Sequence, residues 1–210
     1  YYNKAGELTG FKKRDWTLPK DHDFHFTTVG TVKVNAQMFG QPQTQKGGRK
    51  LIIVEGEEEV PATRRAILDS LKGTKYEGKI EPSVVSISMG TANAAECVAH
   101  NLDFVQSFSD IVLAFDSDEA TQKELKKGIL KGKEAKEEVA ALLLSDNIYT
   151  ITHPHGMKDS RDCLLNGYSV ELGKILAFGL EKYSPEKIIC GDDVDVDSLL
   201  EPLREGHYIE

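Results

Sequence analysis

The chain has 210 residues, with 40% hydrophobic and 29% charged side chains, a composition typical of a globular domain, alone or with a small appendage. No apolar run approaches the length that spans a bilayer, and the start does not resemble a signal peptide, so we expect a cytoplasmic protein without membrane contacts. Its three cysteines, Cys97, Cys163 and Cys190, form no CxxC pair, which argues against a zinc ribbon or a disulfide framework.

The net charge of −8 is unevenly distributed along the chain. Residues 1–50 carry nine Lys or Arg against four Asp or Glu, a net charge of +5, whereas the rest of the chain carries −13. A basic segment beside an acidic body favours a protein whose basic part touches a polyanion while its acidic part binds metal. The alternative is that the basic residues only solvate a loop-rich surface.

Residues 1–49 are predicted to form a small basic β-rich subdomain. Turn signals and short runs of aromatic and β-branched residues indicate short strands. Four aromatic residues lie among the basic ones: Tyr1, Tyr2, Phe11 and Trp16. They are compatible with stacking on bases, but the core of a small sheet is the favoured interpretation for most of them. The chain begins without a methionine, so we expect a fragment of a longer protein.

From Lys50 the pattern changes to alternating strands and helices, which predicts an α/β domain over residues 50–160. Apolar β-branched runs predict strands at 51–54, 83–88, 110–115 and 147–152, and helical spacing predicts helices at 60–71, 92–105, 119–130 and 134–144. This alternation predicts a parallel sheet flanked by helices. A C-terminal helix is expected in 161–183, at residues 170–183, and an acidic linker at 184–210.

Acidic residues follow the predicted strands at the points where they end. Asp116 and Asp118 end the stretch IVLAFDSDEA at the third strand, and Glu55 follows the first strand. Ligands collect at the carboxyl ends of parallel strands, and residues two apart on a strand point the same way, so the carboxylates could share one site. Oxygen ligands of this kind suit Mg²⁺ with substrate phosphates. Taken alone, the two aspartates fit equally well as acids that cap the next helix.

The fourth strand adds Lys158 and Asp159 to the same edge. Four acids with a lysine suit phosphoryl chemistry, because Mg²⁺ neutralises developing charge and a free carboxylate can take a proton. His153 and His155 lack a third ligand nearby and are interpreted as part of a surface turn. The lysine-rich stretch 123–136 is either a solvated helix face, the favoured interpretation, or a second contact with nucleic acid.

Glu55-Gly56 after one strand and Asp-x-Asp after another resemble the TOPRIM fold of primases and topoisomerases. In order along the chain, YYNKAGELTGFKKRD, KLIIVEGE, SISMG, VLAFDSDEA and KDSRD closely resemble the RNA-polymerase half of the bifunctional primase–helicases of short-tailed phages. The resemblance runs from about residue 1 to residue 180. In that family a zinc ribbon precedes this region and a ring helicase follows it. Neither a CxxC pair nor a GxxxxGK[ST] loop is present, so the resemblance implies an isolated priming core without zinc.

The resemblance also assigns roles to residues. Glu55, Asp116 and Asp118 correspond to the catalytic acids, which hold metal together with Asp159. Lys12 and Arg14 match the basic stretch that the family uses toward template and nucleotides. The expected nucleotide and template contacts are Lys4, Lys12, Lys13, Arg14 and Lys158.

The resemblance implies a DNA primase, a DNA-directed RNA polymerase that makes short RNA primers from ribonucleoside triphosphates on single-stranded DNA. Nucleotidyl transfer would depend on Mg²⁺, with Mn²⁺ as an alternative, and would serve phage DNA replication in the cytoplasm of the bacterial host. The full protein would add a zinc-binding domain and a ring helicase. Two alternatives stay open: a TOPRIM nuclease with similar acids, and a non-catalytic module that binds single-stranded DNA.

Overall fold

The computed structural model describes residues 1–19, 22–33, 35–88, 90–116, 131–143 and 147–183. The predicted helix at 119–130 and the predicted linker at 184–210 lie outside these residues. No helix in the described ranges is long and apolar enough to cross a membrane.

The described strands form two sheets. The first is an antiparallel hairpin of β1 (Gly10–Arg14) and β2 (Phe26–Gly30). The second has five strands: β3 (Gly48–Val54), β4 (Val84–Ser86), β5 (Phe108–Leu113), β6 (Ile148–Thr150) and β7 (Glu181–Lys182). Their order is β4-β3-β5-β6-β7, and every pairing is parallel except that of β6 with β7. The predicted α/β class, a mostly parallel sheet flanked by helices, is confirmed.

Six described α-helices connect or cover the strands of the large sheet. They are α1 (Glu59–Leu71), α2 (Ala94–His100), α3 (Leu102–Val105), α4 (Lys131–Leu143), α5 (Ser160–Leu165) and α6 (Ser169–Phe178). Short 3₁₀ turns lie at Gln41–Gln43, Thr91–Asn93 and Pro154–Gly156.

The predicted helix at 92–105 is interrupted at Asn101. This buried side chain donates hydrogen bonds from Nδ2 to the carbonyl oxygens of Ala36, at 3.0 Å, and Cys97, at 2.9 Å. The helix therefore stops where a buried amide ties it to a distant loop, a tertiary contact that helical spacing does not reveal.

Two apolar layers enclose the large sheet. Along β3, Leu51 and Ile53 face the layer that includes α2, α3 and α4, whereas Ile52 and Val54 face the layer of α1, α5 and α6. All four side chains are buried, and full burial of one aliphatic side chain is worth about 1.5–3 kcal/mol. This continuous apolar run is why the strand is buried on both faces.

Helix α6 lies against α1 at a glycine. A Cβ at Gly173 would clash with the carbonyl oxygen of Ala66 and with the side chain of Ser70, so only glycine permits this approach. The contact fixes α1, whose first turn carries part of the site described below.

The prediction of a single C-terminal helix within 161–183 is wrong. This segment contains most of α5, then α6, which ends at Phe178, and finally β7, which pairs with Tyr149 and Thr150 of β6. Gly179 closes α6 by donating its N–H to the carbonyl oxygen of Ile175. The two-residue strand then covers the edge of β6.

Candidate active site

The strand order reverses direction between β3 and β5. From β3 the chain crosses to β4 on one side, and from β5 it continues to β6 on the other. The crevice outside the carboxyl ends of two such strands is where open α/β sheets bind ligands. Glu55 follows β3 and Asp116 follows β5, so these two predicted site residues flank this switch point.

Glu55, Asp116 and Lys158 are brought together directly. The backbone N–H of Asp116 donates a hydrogen bond of 3.1 Å to Oε1 of Glu55. Nζ of Lys158 forms an ion pair of 2.9 Å with Oδ2 of Asp116. Lys158 is 47% exposed at its side chain, whereas Asp116 is only 14% exposed, so the lysine enters the site from the solvent side.

Glu59, the first residue of α1, is a candidate that the sequence analysis missed. It is only 5% exposed, and its Oε1 accepts a hydrogen bond of 2.6 Å from the backbone N–H of Gly56. Its Oε2 is buried and has no hydrogen-bond partner among the described residues. Burial, followed by the negative charges of Asp116, Asp159 and Glu55, raises the pKa of Glu59 to about 9.

The remaining predicted acids are less closely joined. Asp159 caps α5, because its Oδ1 accepts a hydrogen bond of 2.7 Å from the backbone N–H of Asp162. Its charge nevertheless acts on Glu59. Asp118 lies outside the described residues. We call Glu55, Glu59, Asp116 and Asp159 the acidic edge.

The donor chemistry of the acidic edge fits a divalent cation that prefers oxygen ligands. A cation there would offset the repulsion that raises the pKa of Glu59, and it would give the buried Oε2 a partner. In their present positions, however, no three His, Cys, Asp or Glu side chains of the described ranges are close enough to hold a metal ion together. Mg²⁺ is usually held by one or two carboxylates together with water and substrate phosphates, so a cluster of three is not needed for this fit.

Two further residues, Lys136 and His153, lie near the acidic edge. Burial lowers the pKa of Lys136 on α4, although the charges of Glu55 and Asp116 oppose this shift. Lys136 is partly buried within range of both charges, and the interpretation of the lysine-rich stretch as a solvated face stays a prediction. His153 is buried, not in a surface turn, and burial lowers its pKa to about 4, which leaves it neutral at pH 7.

The basic residues of β1 meet the loop that connects β3 to α1. Lys12 forms an ion pair of 3.0 Å with Glu57, and Arg14 forms one of 2.6 Å with Glu58. Tyr1 also donates a hydrogen bond from its hydroxyl to Glu57. These contacts, which we call the paired interface, join the hairpin to the loop of the acidic edge.

The other two predicted basic contacts lie elsewhere. Lys13 alternates with Lys12 and Arg14 along β1, and its side chain is exposed. Lys4 lines a separate cleft together with Lys46, His100 and Asp103. None of the acidic edge residues lines that cleft.

Known proteins resemble this chain in sequence and in fold. No family model matches the chain. A DNA helicase/primase of Enterobacteria phage T3 is 28% identical over 167 residues, which are 80% of this chain and 24% of that protein. The chain thus spans about a quarter of the length of this relative.

Two solved structures have the same fold. The primase fragment of the bacteriophage T7 primase-helicase protein matches with a TM-score of 0.62 and 29% identity, over 84% of this chain and 60% of that chain. A T7 primase domain, from a complex of lagging-strand DNA polymerase with two gp4 subunits bound to an RNA/DNA hybrid and dTTP, matches with a TM-score of 0.63 and 27% identity. That match covers 87% of this chain and 76% of the other. The resemblance is therefore confirmed: over most of its length the chain is homologous to a phage helicase/primase and has the fold of the primase part of such proteins.

Proposed function

We propose that this chain is a DNA primase that makes short RNA primers on single-stranded DNA by metal-dependent nucleotidyl transfer. The observation that carries this proposal is the acidic edge at the switch point of a sheet with the T7 primase-fragment fold. The buried Glu59 supports it further. Burying one carboxyl beside three others destabilises the fold, so its presence favours a site that uses concentrated negative charge.

The cofactor that we propose is Mg²⁺, with Mn²⁺ as an alternative. Glu55, Asp116, Asp118 and Asp159 would hold it, with Glu59 as an additional ligand. When bound, such an ion neutralises charge on the triphosphate of the incoming nucleotide.

The reaction joins two nucleotides. The 3′-hydroxyl of the preceding nucleotide attacks the α-phosphate of the incoming triphosphate, a P–O bond forms, and pyrophosphate leaves. Lys158 is half exposed and already paired with Asp116, so it can exchange this carboxylate for a phosphate oxygen of the substrate. Lys136, on the α4 side, adds a second positive charge near Glu55 and Asp116.

The partners that we propose follow from this activity. They are a single-stranded DNA template and ribonucleoside triphosphates, and in the full protein a zinc-binding domain and a ring helicase. The chain would act during phage DNA replication in the cytoplasm of the bacterial host. The N-terminal subdomain, residues 1–49, would face template and nucleotide, and residues 50–160 would form the TOPRIM catalytic domain.

One assay separates this proposal from its alternatives. The chain is incubated with single-stranded DNA, radiolabelled ribonucleotides and Mg²⁺, and the products are separated on a denaturing gel. Short RNA products support the primase, shortening of the DNA supports a nuclease, and binding without either supports a non-catalytic module. The assay is repeated with a full-length protein that carries the zinc-binding domain, because that domain is expected to select the template site. Absence of any dinucleotide with the full-length protein on all templates would refute the primase.

The first variant for this assay is Asp116→Asn. We expect primer synthesis to fall by about 100-fold or more, because an ion at this edge contributes several kcal/mol of transition-state stabilisation. Circular dichroism should show an unchanged fold. Glu138→Gln, which removes an exposed charge from α4, is the matched control and should retain full activity. Full activity of Asp116→Asn would remove the metal assignment.

A further inference from the structure

Trp16, the only tryptophan of the chain, lies on the surface. It is 60% exposed and lies in the turn that follows β1. The turn itself is fixed, because Asp15 accepts hydrogen bonds from the backbone N–H and the hydroxyl of Thr17, at 3.0 and 2.6 Å. The favoured interpretation of the aromatic residues as a small core is therefore wrong for Trp16.

Two arginines contact the indole ring. Cζ of Arg14 lies 3.8 Å from the ring centroid, and Cζ of Arg161 on α5 lies 5.3 Å from it. Both guanidinium groups also bind the same carboxylate: Arg14 contacts Oε1 of Glu58 at 2.6 Å, and Arg161 contacts Oε2 at 3.1 Å. One carboxylate thus binds both of the cations that contact the ring.

A buried histidine fixes Arg14 further. Nε of Arg14 donates to Nε2 of His25 at 2.9 Å, and arginine can only donate. Nε2 is therefore an acceptor, so Nδ1 carries the proton and donates to the carbonyl oxygen of Leu18 at 2.9 Å. Because the support is already ordered, a ligand that stacks on Trp16 would pay little of the entropy cost of ordering it.

The arrangement offers an aromatic surface with one positive charge in excess. Glu58 offsets one of the two arginines, and both guanidinium groups already bind its carboxylate, so a free phosphate or triphosphate would have to compete with Glu58 for them. A stacking partner with a flat π-face gains most from such a surface, and every nucleobase has one. The neighbouring exposed Lys13 favours a polyanionic strand over an apolar protein segment.

The location of this surface connects it to the acidic edge. Glu58 lies in the loop between Glu55 and Glu59, and Arg161 is in the first turn of the helix that Asp159 caps. A base stacked on Trp16 would therefore belong to a strand that passes along the acidic edge.

We propose that Trp16, supported by Arg14 and Arg161, is a stacking platform for one base of single-stranded DNA template beside the acidic edge. The inference rests on the proposed function for the identity of the strand as template. Its test uses binding alone and does not require catalysis.

The fluorescence of the single tryptophan reports directly on the proposed stacking contact. The chain is titrated with a single-stranded oligonucleotide in the presence of a metal chelator, and tryptophan emission is followed. We expect emission to be quenched as a base stacks on the indole, and little quenching by an abasic oligonucleotide of the same length. Equal quenching by the abasic strand would overturn the proposal. Quenching by ribonucleoside triphosphates that single-stranded DNA cannot displace would also overturn it, because the platform would then belong to the incoming nucleotide.

Variants test the same point by fluorescence anisotropy of a labelled strand. Trp16→Leu keeps an apolar side chain but removes the π-face, and we expect the Kd to rise about tenfold, equivalent to ~1.4 kcal/mol. Trp16→Phe should retain most of the affinity. The matched control is Phe11→Leu, since Phe11 is 53% exposed and alternates with Lys12 and Arg14 along β1. Equal weakening by Trp16→Leu and Trp16→Phe together with lower thermal stability would indicate a structural role and would contradict the proposal.

The outcomes separate the two proposals. Primer synthesis by the wild type without any quenching would refute the platform and leave the primase intact. Base-dependent quenching without primer synthesis would retain the platform for single-stranded DNA and refute the primase.

Discussion

The loop from Glu55 to Glu59 carries four carboxylates, and they lie in two different environments. Glu57 and Glu58 face Lys12, Arg14 and Arg161 across the paired interface. Glu55 and Glu59 lie in the acidic edge, where burial and, after it, neighbouring carboxylates raise the pKa of Glu59. One short loop thus connects carboxylates that pair with basic side chains to carboxyl groups that lie close to one another.

The first two carboxylates join two parts of the molecule, and the other two lie where we propose that a cation binds. Matched ion pairs hold the hairpin against the loop and leave little charge for a substrate. Carboxylates that lie close together repel one another and destabilise the fold when no cation is bound, and a cation or a cationic side chain reduces this repulsion. Lys12 and Arg14 stay predicted template contacts, but any such contact competes with Glu57 and Glu58.

The largest effect on stability is expected from Glu59→Gln. The pKa of Glu59 in the folded state, about 9, exceeds its ordinary value of 4.5. This carboxyl therefore stabilises the fold fully below pH 4.5, and the contribution is lost as the pH rises through about 9. In a metal chelator, the free energy of unfolding of the wild type should fall by up to about 1.4 kcal/mol per pH unit in this window. Urea unfolding between pH 5 and pH 9 measures this slope.

Glu59→Gln should remove that slope, so the variant should gain stability relative to the wild type as the pH rises. Glu138→Gln, at an exposed position on α4, should keep the slope of the wild type. Parallel curves for the wild type and Glu59→Gln would show that Glu59 is already ionised in the fold, and the acidic edge would lose its distinction from the paired interface.

A smaller effect of opposite sign is expected for Glu57→Gln. Burial alone would raise the pKa of Glu57, but the hydrogen bond from Tyr1 and the charge of Lys12 outweigh it and lower the pKa. The contribution of Glu57 to stability is therefore present above its ordinary pKa and is lost as the pH falls through the lowered value. At pH 7 the variant should be less stable by about 1–3 kcal/mol, because Lys12 and Tyr1 lose a partly buried partner.

Urea unfolding at pH 7 and pH 3 measures the difference between Glu57→Gln and the wild type. The difference should shrink at the lower pH, because the contribution of the ionised carboxyl begins to be lost once the pH falls below the ordinary pKa of 4.5 and is lost fully below the lowered pKa. A constant difference at both pH values would mean that shape, rather than charge, makes Glu57 important.

The smallest effect is expected for Glu58→Gln. Its ion pairs with Arg14 and Arg161 are partly exposed, and such pairs are typically worth about 1 kcal/mol or less. The urea midpoint should therefore move little, while Trp16 emission should change because both supporting cations lose their shared partner. A loss of several kcal/mol would show that this carboxylate, and not the apolar contacts of the hairpin, holds the paired interface.

The central features of fold and site could be predicted from the sequence. Continuous apolar runs identified β3 and β5, since a strand buried on both faces needs them. The position of Glu55 and Asp116 at the ends of those runs then placed both at one edge, and the structure joins them through a hydrogen bond. The roles of all predicted site residues, including Asp118, stay predictions.

The missed features depend on tertiary contacts. Acids are common in the first turn of any helix, so nothing local distinguishes Glu59 from an exposed helix-start acid. Its burial results from the packing of α1. Glu57 and Glu58 pair with residues about 45 positions earlier in the chain, which no local pattern reveals. The two residues of β7 are too few to show strand alternation.

The pairing of β3 with β5 has a consequence for how the protein folds. It joins Glu55 to Asp116 across 61 positions, although β4 lies between these strands in the chain. Closing so long a loop costs chain entropy before any contact compensates it, and non-local pairing of this kind slows folding. The carboxylates of the acidic edge therefore stay apart in a partly folded chain and come close to one another only after β5 has paired with β3. A nascent chain that ends before β5 carries Glu55 and Glu59 without the carboxylates of Asp116 and Asp159, which act on Glu59 in the complete fold.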